Sequence, residues 1–153
     1  MEKNYLVEIK LFITALFAGL TAWLGALAFP VYILVLLNII DYFTGLTAAP
    51  YRKEKRNSTK GFRGIAKKVC MWVLVGLGAI LDWLLGYAAG TIGIVMPFNF
   101  LLGSAVAIWL ICNEVISILE NIGDIGVKVP GFLRTLIEWV QKSTEDKTGI
   151  KED

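Results

Sequence analysis

Forty consecutive residues, 11–50, carry one formal charge, Asp41, and forty-five more, 69–113, carry only Asp82. Water-facing surface cannot be built from such stretches, but lipid-facing surface can. Of 153 residues, 56% are hydrophobic and 18% charged, where an ordinary soluble domain has about 25% charged. The expected fold class is an all-α integral membrane protein, one membrane domain over 1–142. Four transmembrane helices in two hairpins are expected at about 11–29, 31–49, 69–89 and 96–119, followed by an amphipathic C-terminal helix. The first two runs together are too long for one span, which needs about 20 helical residues. A tight turn near Phe29-Pro30 is therefore expected, and Pro97 is placed in the first turn of the fourth helix.

Charge sets an orientation. Arg52, Lys53, Lys55, Arg56, Lys60, Arg63, Lys67 and Lys68 face Glu54 alone within 51–68, a local net charge of +7 in a chain of net +2. By the positive-inside rule this loop is cytoplasmic, its cations touching anionic headgroups. The loops near 29–30 and 90–97 are uncharged and fall outside. Both termini are then cytoplasmic, which Lys3, Lys10, Lys128 and Arg134 fit. Lys3 and Lys10 ahead of an apolar run, with Ala26-Leu27-Ala28, resemble a signal peptide, but the run is long for one and it is expected to stay uncleaved.

Beyond the fourth span, 130–142 repeats apolar residues at helical spacing: Phe132, Leu133, Leu136, Ile137 and Val140. An interfacial helix lying on the membrane is expected, with docking on the protein's own cytoplasmic loop as the alternative. The tail 143–153 reads as polar and disordered.

Two spans are not uniformly apolar. Asn38, Asp41, Gly45 and Ala48 share one helix face, and so do Gly78, Asp82 and Gly86. A charge in mid-span does not face lipid without penalty. These stripes are either pore-lining or oligomer-contact faces, or packing faces within one copy. Asp41 and Asp82 are expected to favour the assembled state, because lipid exposure in a single copy is costly. Histidine is absent, no catalytic constellation appears, and no metal, cofactor, enzyme activity or nucleic-acid contact is expected. Cys70 and Cys112 read as apolar helix residues rather than a disulfide.

Three blocks resemble the toxin-secretion/phage-lysis holin family, over residues 33–136 and in the family's order. They are Asp41-Tyr42-Phe43-Thr44-Gly45, the basic block Ser58 to Lys68, and Asn113-Glu114 with Ser117 and Glu120-Asn121 ahead of Gly126 and Pro130. The resemblance implies a small protein of the bacterial cytoplasmic membrane that oligomerises with itself among membrane lipids. It implies lesions that release an endolysin or a toxin without necessary direct contact with that cargo, and an antiholin is a further candidate partner. Asn113, Glu114, Ser117, Glu120 and Asn121 form the family's polar block, with no chemistry derivable from the residues themselves. The competing class is a small ion- or proton-coupled transporter or a membrane-anchored structural protein.

Overall fold

The computed structural model describes residues 2–52 and 58–148, with side chains for 4–52 and 61–145. Its elements are α1 (Glu2–Leu24), a 3-10 turn (Gly25–Leu27), α2 (Ala28–Ala48), α3 (Ser58–Thr91), α4 (Leu101–Asp124) and α5 (Gly131–Thr148). The described residues are helical or irregular, with no strand. That suits a chain whose backbone must satisfy its own hydrogen bonds in lipid. Three helical segments are long and apolar enough to cross a membrane: Asn4–Ala48, Gly61–Thr91 and Leu101–Asp124.

The first of these holds both of the first two expected spans. The chain turns at Gly25–Leu27, earlier than the expected Phe29-Pro30. Gly25 takes a left-handed φ of +51°, open to glycine at no steric cost. Pro30 sits instead in the first turn of α2, where a missing N–H leaves no intrahelical bond unmade. The bend is sharp: the Thr21 and Tyr32 hydroxyls meet at 2.6 Å and the Phe17 and Tyr32 rings lie 6.1 Å apart. In a straight helix residues 17 and 32 would stand about 22 Å apart. Away from the bend α1 stays clear of the bundle, and residues 4–23 are exposed throughout.

Three further boundaries differ from the sequence expectation. Helix α3 begins at Ser58, inside the expected basic loop 51–68, because elongating an existing helix through Lys, Arg, Ile and Ala is easy. Helix α4 begins at Leu101 rather than near 96, and Pro97 lies in the irregular segment before it. Phe100 ends that segment in the left-handed region, φ +62°. Helix α5 continues to Thr148, through residues expected to be disordered, while 149–153 lie outside the described residues.

Helix α4 is the central element, with α2, α3 and α5 all packed on it. The core comprises Leu24, Leu27, Ala28 and Leu34 from the α1–α2 side, Met71 and Val75 from α3, and Ala107 and Leu110 from α4. Gly78 and Gly103 form the tightest crossing: a Cβ on Gly78 would stand 2.9 Å from the Gly103 Cα. Gly86 and Gly19 have nothing within 4 Å of such an atom. Both cysteines are free; Cys70 is exposed and Cys112 buried.

Candidate functional site

The polar residues of three helices converge on one network. Lys68 is the eleventh residue of α3 and lies on the α4-facing stripe of that helix, with Met71, Val75, Gly78 and Asp82. Its ammonium has three hydrogens and three acceptors: Asn38 Oδ1 at 3.1 Å, Asp41 Oδ2 at 3.0 Å, and Glu114 Oε2. Glu114 is 4% exposed and Asn38 6%, so these groups are out of contact with lipid. Such a pair is costly to break from one side, about 3–5 kcal/mol, because the charge left behind stays buried.

Asn121 extends the network toward the C-terminal end of α4. Its amide donates to Asp41 Oδ1 and to Thr44 Oγ1, both at 3.1 Å. Its carbonyl accepts from Arg52 Nη2 at 2.7 Å. The Arg52 guanidinium also reaches Asp124 at 3.4 Å, a half-exposed contact of little energetic weight. Gly45 lies under Asn121, which is 3.5 Å from where a Cβ would stand, an ordinary contact distance. Among the described residues, Asn38 Nδ2 is a buried polar atom without a partner.

A second polar contact lies at the opposite end. Helix α4 opens after Phe100, whose side chain gives no cap, and its first N–H groups lack intrahelical acceptors. Asp82 of α3 supplies them: its carboxylate accepts from the N–H of Leu102 at 2.9 Å and of Gly103 at 2.8 Å. A carboxylate at a helix N-terminus also meets the positive end of the dipole. Substituting a capping side chain of this kind typically costs about 1–2 kcal/mol.

These contacts place the expected stripes. Asn38 meets Lys68 of α3, Asp41 and Gly45 meet Asn121 of α4, and Ala48 is fully buried, so within one copy the first stripe is a packing face. The second stripe divides: Gly78 and Asp82 meet α4, while Gly86 is open. Asp41 and Asp82 are both partnered inside one copy, which corrects the expectation that their exposure to lipid drives assembly. Of the basic set, Lys68 is an internal ion-pair partner and Arg52 a partial one, whereas Arg63 and Lys67 are exposed. Lys53, Lys55 and Arg56 lie outside the described residues, as does the Lys60 side chain. Within the polar block, Glu114 and Asn121 belong to the network. Ser117 is half-buried in a groove beside Lys67, and Asn113 and Glu120 turn to α5.

Helix α5 is docked on α4. Gln141 donates to Asn113 at 3.0 Å, Arg134 to Glu120 at 3.0 Å, and the Trp109 indole to Glu145 at 2.5 Å. Arg134 also bonds Glu138 at 3.0 Å. That bond, helped by the charges of Glu120 and Glu138, holds its guanidinium cationic above the ordinary range. Among the described residues, no cluster of His, Cys, Asp or Glu could hold a metal ion.

Lys68, expected among the headgroup-contacting cations, is instead the internal partner of Asn38, Asp41 and Glu114. The signal lay in register: 68, 71, 75, 78 and 82 alternate steps of three and four, one continuous helix stripe ending on Asp82.

Residues 18–142 match the bacteriophage holin family. A probable holin of Bacillus phage phi105 is 30% identical over 116 residues, 76% of this chain and 77% of that protein. An uncharacterized protein of Listeria monocytogenes is 38% identical over 76% of each chain. One of Clostridium perfringens is 32% identical over 97% of this chain and 99% of its own length. No solved structure matches. With this match and this set of relatives, the chain belongs to the bacteriophage holin family.

Proposed function

We propose that this protein is a holin in action as well as in family. It accumulates in the bacterial cytoplasmic membrane, oligomerises, and opens lesions through which an endolysin or a toxin leaves the cell. In this reading the chain makes four spans, with the bend at Gly25–Leu27 and the segment 92–100 outside and both termini in the cytoplasm. The exposed α1 supplies contacts between copies. So does the apolar groove of about 580 Å³ where Trp23, Trp72, Trp83 and Phe100 meet. The remaining basic residues near the start of α3 hold the inner end to anionic headgroups.

The supporting observation is that the family-like blocks bond to one another. Asp41 and Thr44 from the first meet Asn121 from the last, and Lys68 from the basic block meets Asp41 and Glu114. A transporter reading needs a path for its ion, but Lys68 already occupies the carboxylates and no histidine continues a relay.

Timed expression in a bacterium, with membrane potential and a cytoplasmic reporter followed together, tests the proposal. Abrupt reporter release after a delay is expected. Gradual, substrate-dependent flux without release would instead assign the chain to transport.

A further inference from the structure

We infer that α5 is the water-facing wall of the assembled lesion, lying along α4 when the lesion is open. This rests on the lesion-forming reading above.

Three contacts fix the position of α5: Arg134 with Glu120, Gln141 with Asn113, and Glu145 with Trp109. Every step forward on α5 is an equal step back on α4. The two helices are therefore antiparallel and in register from the inner end of α4 to its middle. Trp109 lies eight residues, about 12 Å, from the start of α4 and fifteen, about 22 Å, from its end. The polar run Gln141-Lys142-Ser143-Thr144-Glu145 consequently lies level with Trp109-Leu110-Ile111-Cys112-Asn113, inside a segment apolar enough to span a membrane.

Hydrocarbon cannot solvate that run. Lys142 is exposed in the docked position, and a charge in mid-span turns to protein or water. The side of α5 that faces α4 carries the half-buried Leu133, Ile137, Val140 and Gln141. One flank is charged and exposed: Arg134, Glu138 and Lys142, four residues apart. The other is apolar and exposed: Phe132, Leu136 and Trp139. One side on protein, one apolar and one charged is the pattern of a helix bordering a water-filled space. In a sealed bilayer no water reaches that depth, and α5 leaves α4 to lie on the inner surface with its apolar residues down. Docking and water entry are thus one event.

The test uses full-length protein in dye-loaded vesicles of anionic bacterial lipid. The background carries Cys70→Ala and Cys112→Ala, with Asn113→Cys and Gln141→Cys added as a pair. A short thiol cross-linker joins 113 to 141 only when α5 is docked. Cross-linking yield should rise at least about fivefold as the vesicles begin to leak, since docking needs water beside α4. In the same system Lys142→Glu, which leaves the Arg134–Glu120 contact in place, should shift release toward cationic over anionic dye by about twofold or more, since charged linings set ion preference. Equal cross-linking in sealed and leaking vesicles, or unchanged dye preference, overturns the inference. Vesicles that never leak count against lesion formation itself. In them the cross-link still decides the placement of α5, since high yield in a sealed bilayer refutes it and low yield upholds it.

Discussion

At the scale of single residues, the decisive group is Lys68. Its three hydrogens are used on acceptors from α2 and α4, so it joins α3 to both. Replacing it with methionine leaves Asp41 and Glu114 beside each other without a cation. Lys68→Met should lower stability by about 3–5 kcal/mol, read as a shifted unfolding midpoint in detergent. Adding Asp41→Asn and Glu114→Gln should restore most of the loss, because the uncompensated charges go with the lysine. A single variant as stable as the parent would show that the cluster is not an internal tie. Sequence could identify Asp41 as needing a partner, because a lone carboxylate in an apolar run is conspicuous. It could not identify that partner, because Lys68 stands at the edge of a basic segment and reads as one more topology signal. Its place on the stripe with Met71, Val75, Gly78 and Asp82 separates it from its neighbour Lys67, but only the packing of α2 and α4 on that stripe makes it the partner of Asp41.

For the helices, small residues divide by what crosses them. Gly78 meets the backbone of Gly103, which cannot move aside as a side chain can. Gly78→Ala should therefore cost about 1–3 kcal/mol, measured by the same unfolding assay. Gly86→Ala, in open space, should leave stability unchanged or raise it slightly. Equal effects at the two sites would mean that the α3–α4 crossing is looser than described. Spacing alone ranks Gly78 and Gly86 alike, both four residues from Asp82, and direction along the stripe is what separates them. The long helices themselves were legible from apolar run length. Their ends were less so, because Phe100 delays the start of α4 by its backbone angle, and α5 is prolonged by polar contacts to α4 that leave no apolar period.

For the whole molecule, the charge asymmetry makes a topology prediction. Alkaline phosphatase fused at residue 26 or 95 should be active, and fusions at residue 55 or 148 should not. Active fusions at both 26 and 55 would mean that α2 does not cross and that the four-span reading fails. The helical membrane architecture was legible in the sequence because lipid permits few alternatives. The central role of α4 was not, since it depends on which helix the others choose to pack on. Nothing in the period of α4 distinguishes it from α3.

The Lys68 tie also has a consequence for synthesis. Asp41 leaves the ribosome 27 residues before Lys68, and Glu114 follows 46 residues after it. In the interval α2 carries an uncompensated acid and is a poor candidate for release into lipid. The membrane-insertion machinery should hold α2 until α3 arrives. Nascent chains arrested with Lys68 still inside the ribosome should stay cross-linkable to that machinery, and Asp41→Leu should free them early. The charge that organises the finished bundle thereby also sets the order in which its helices are released.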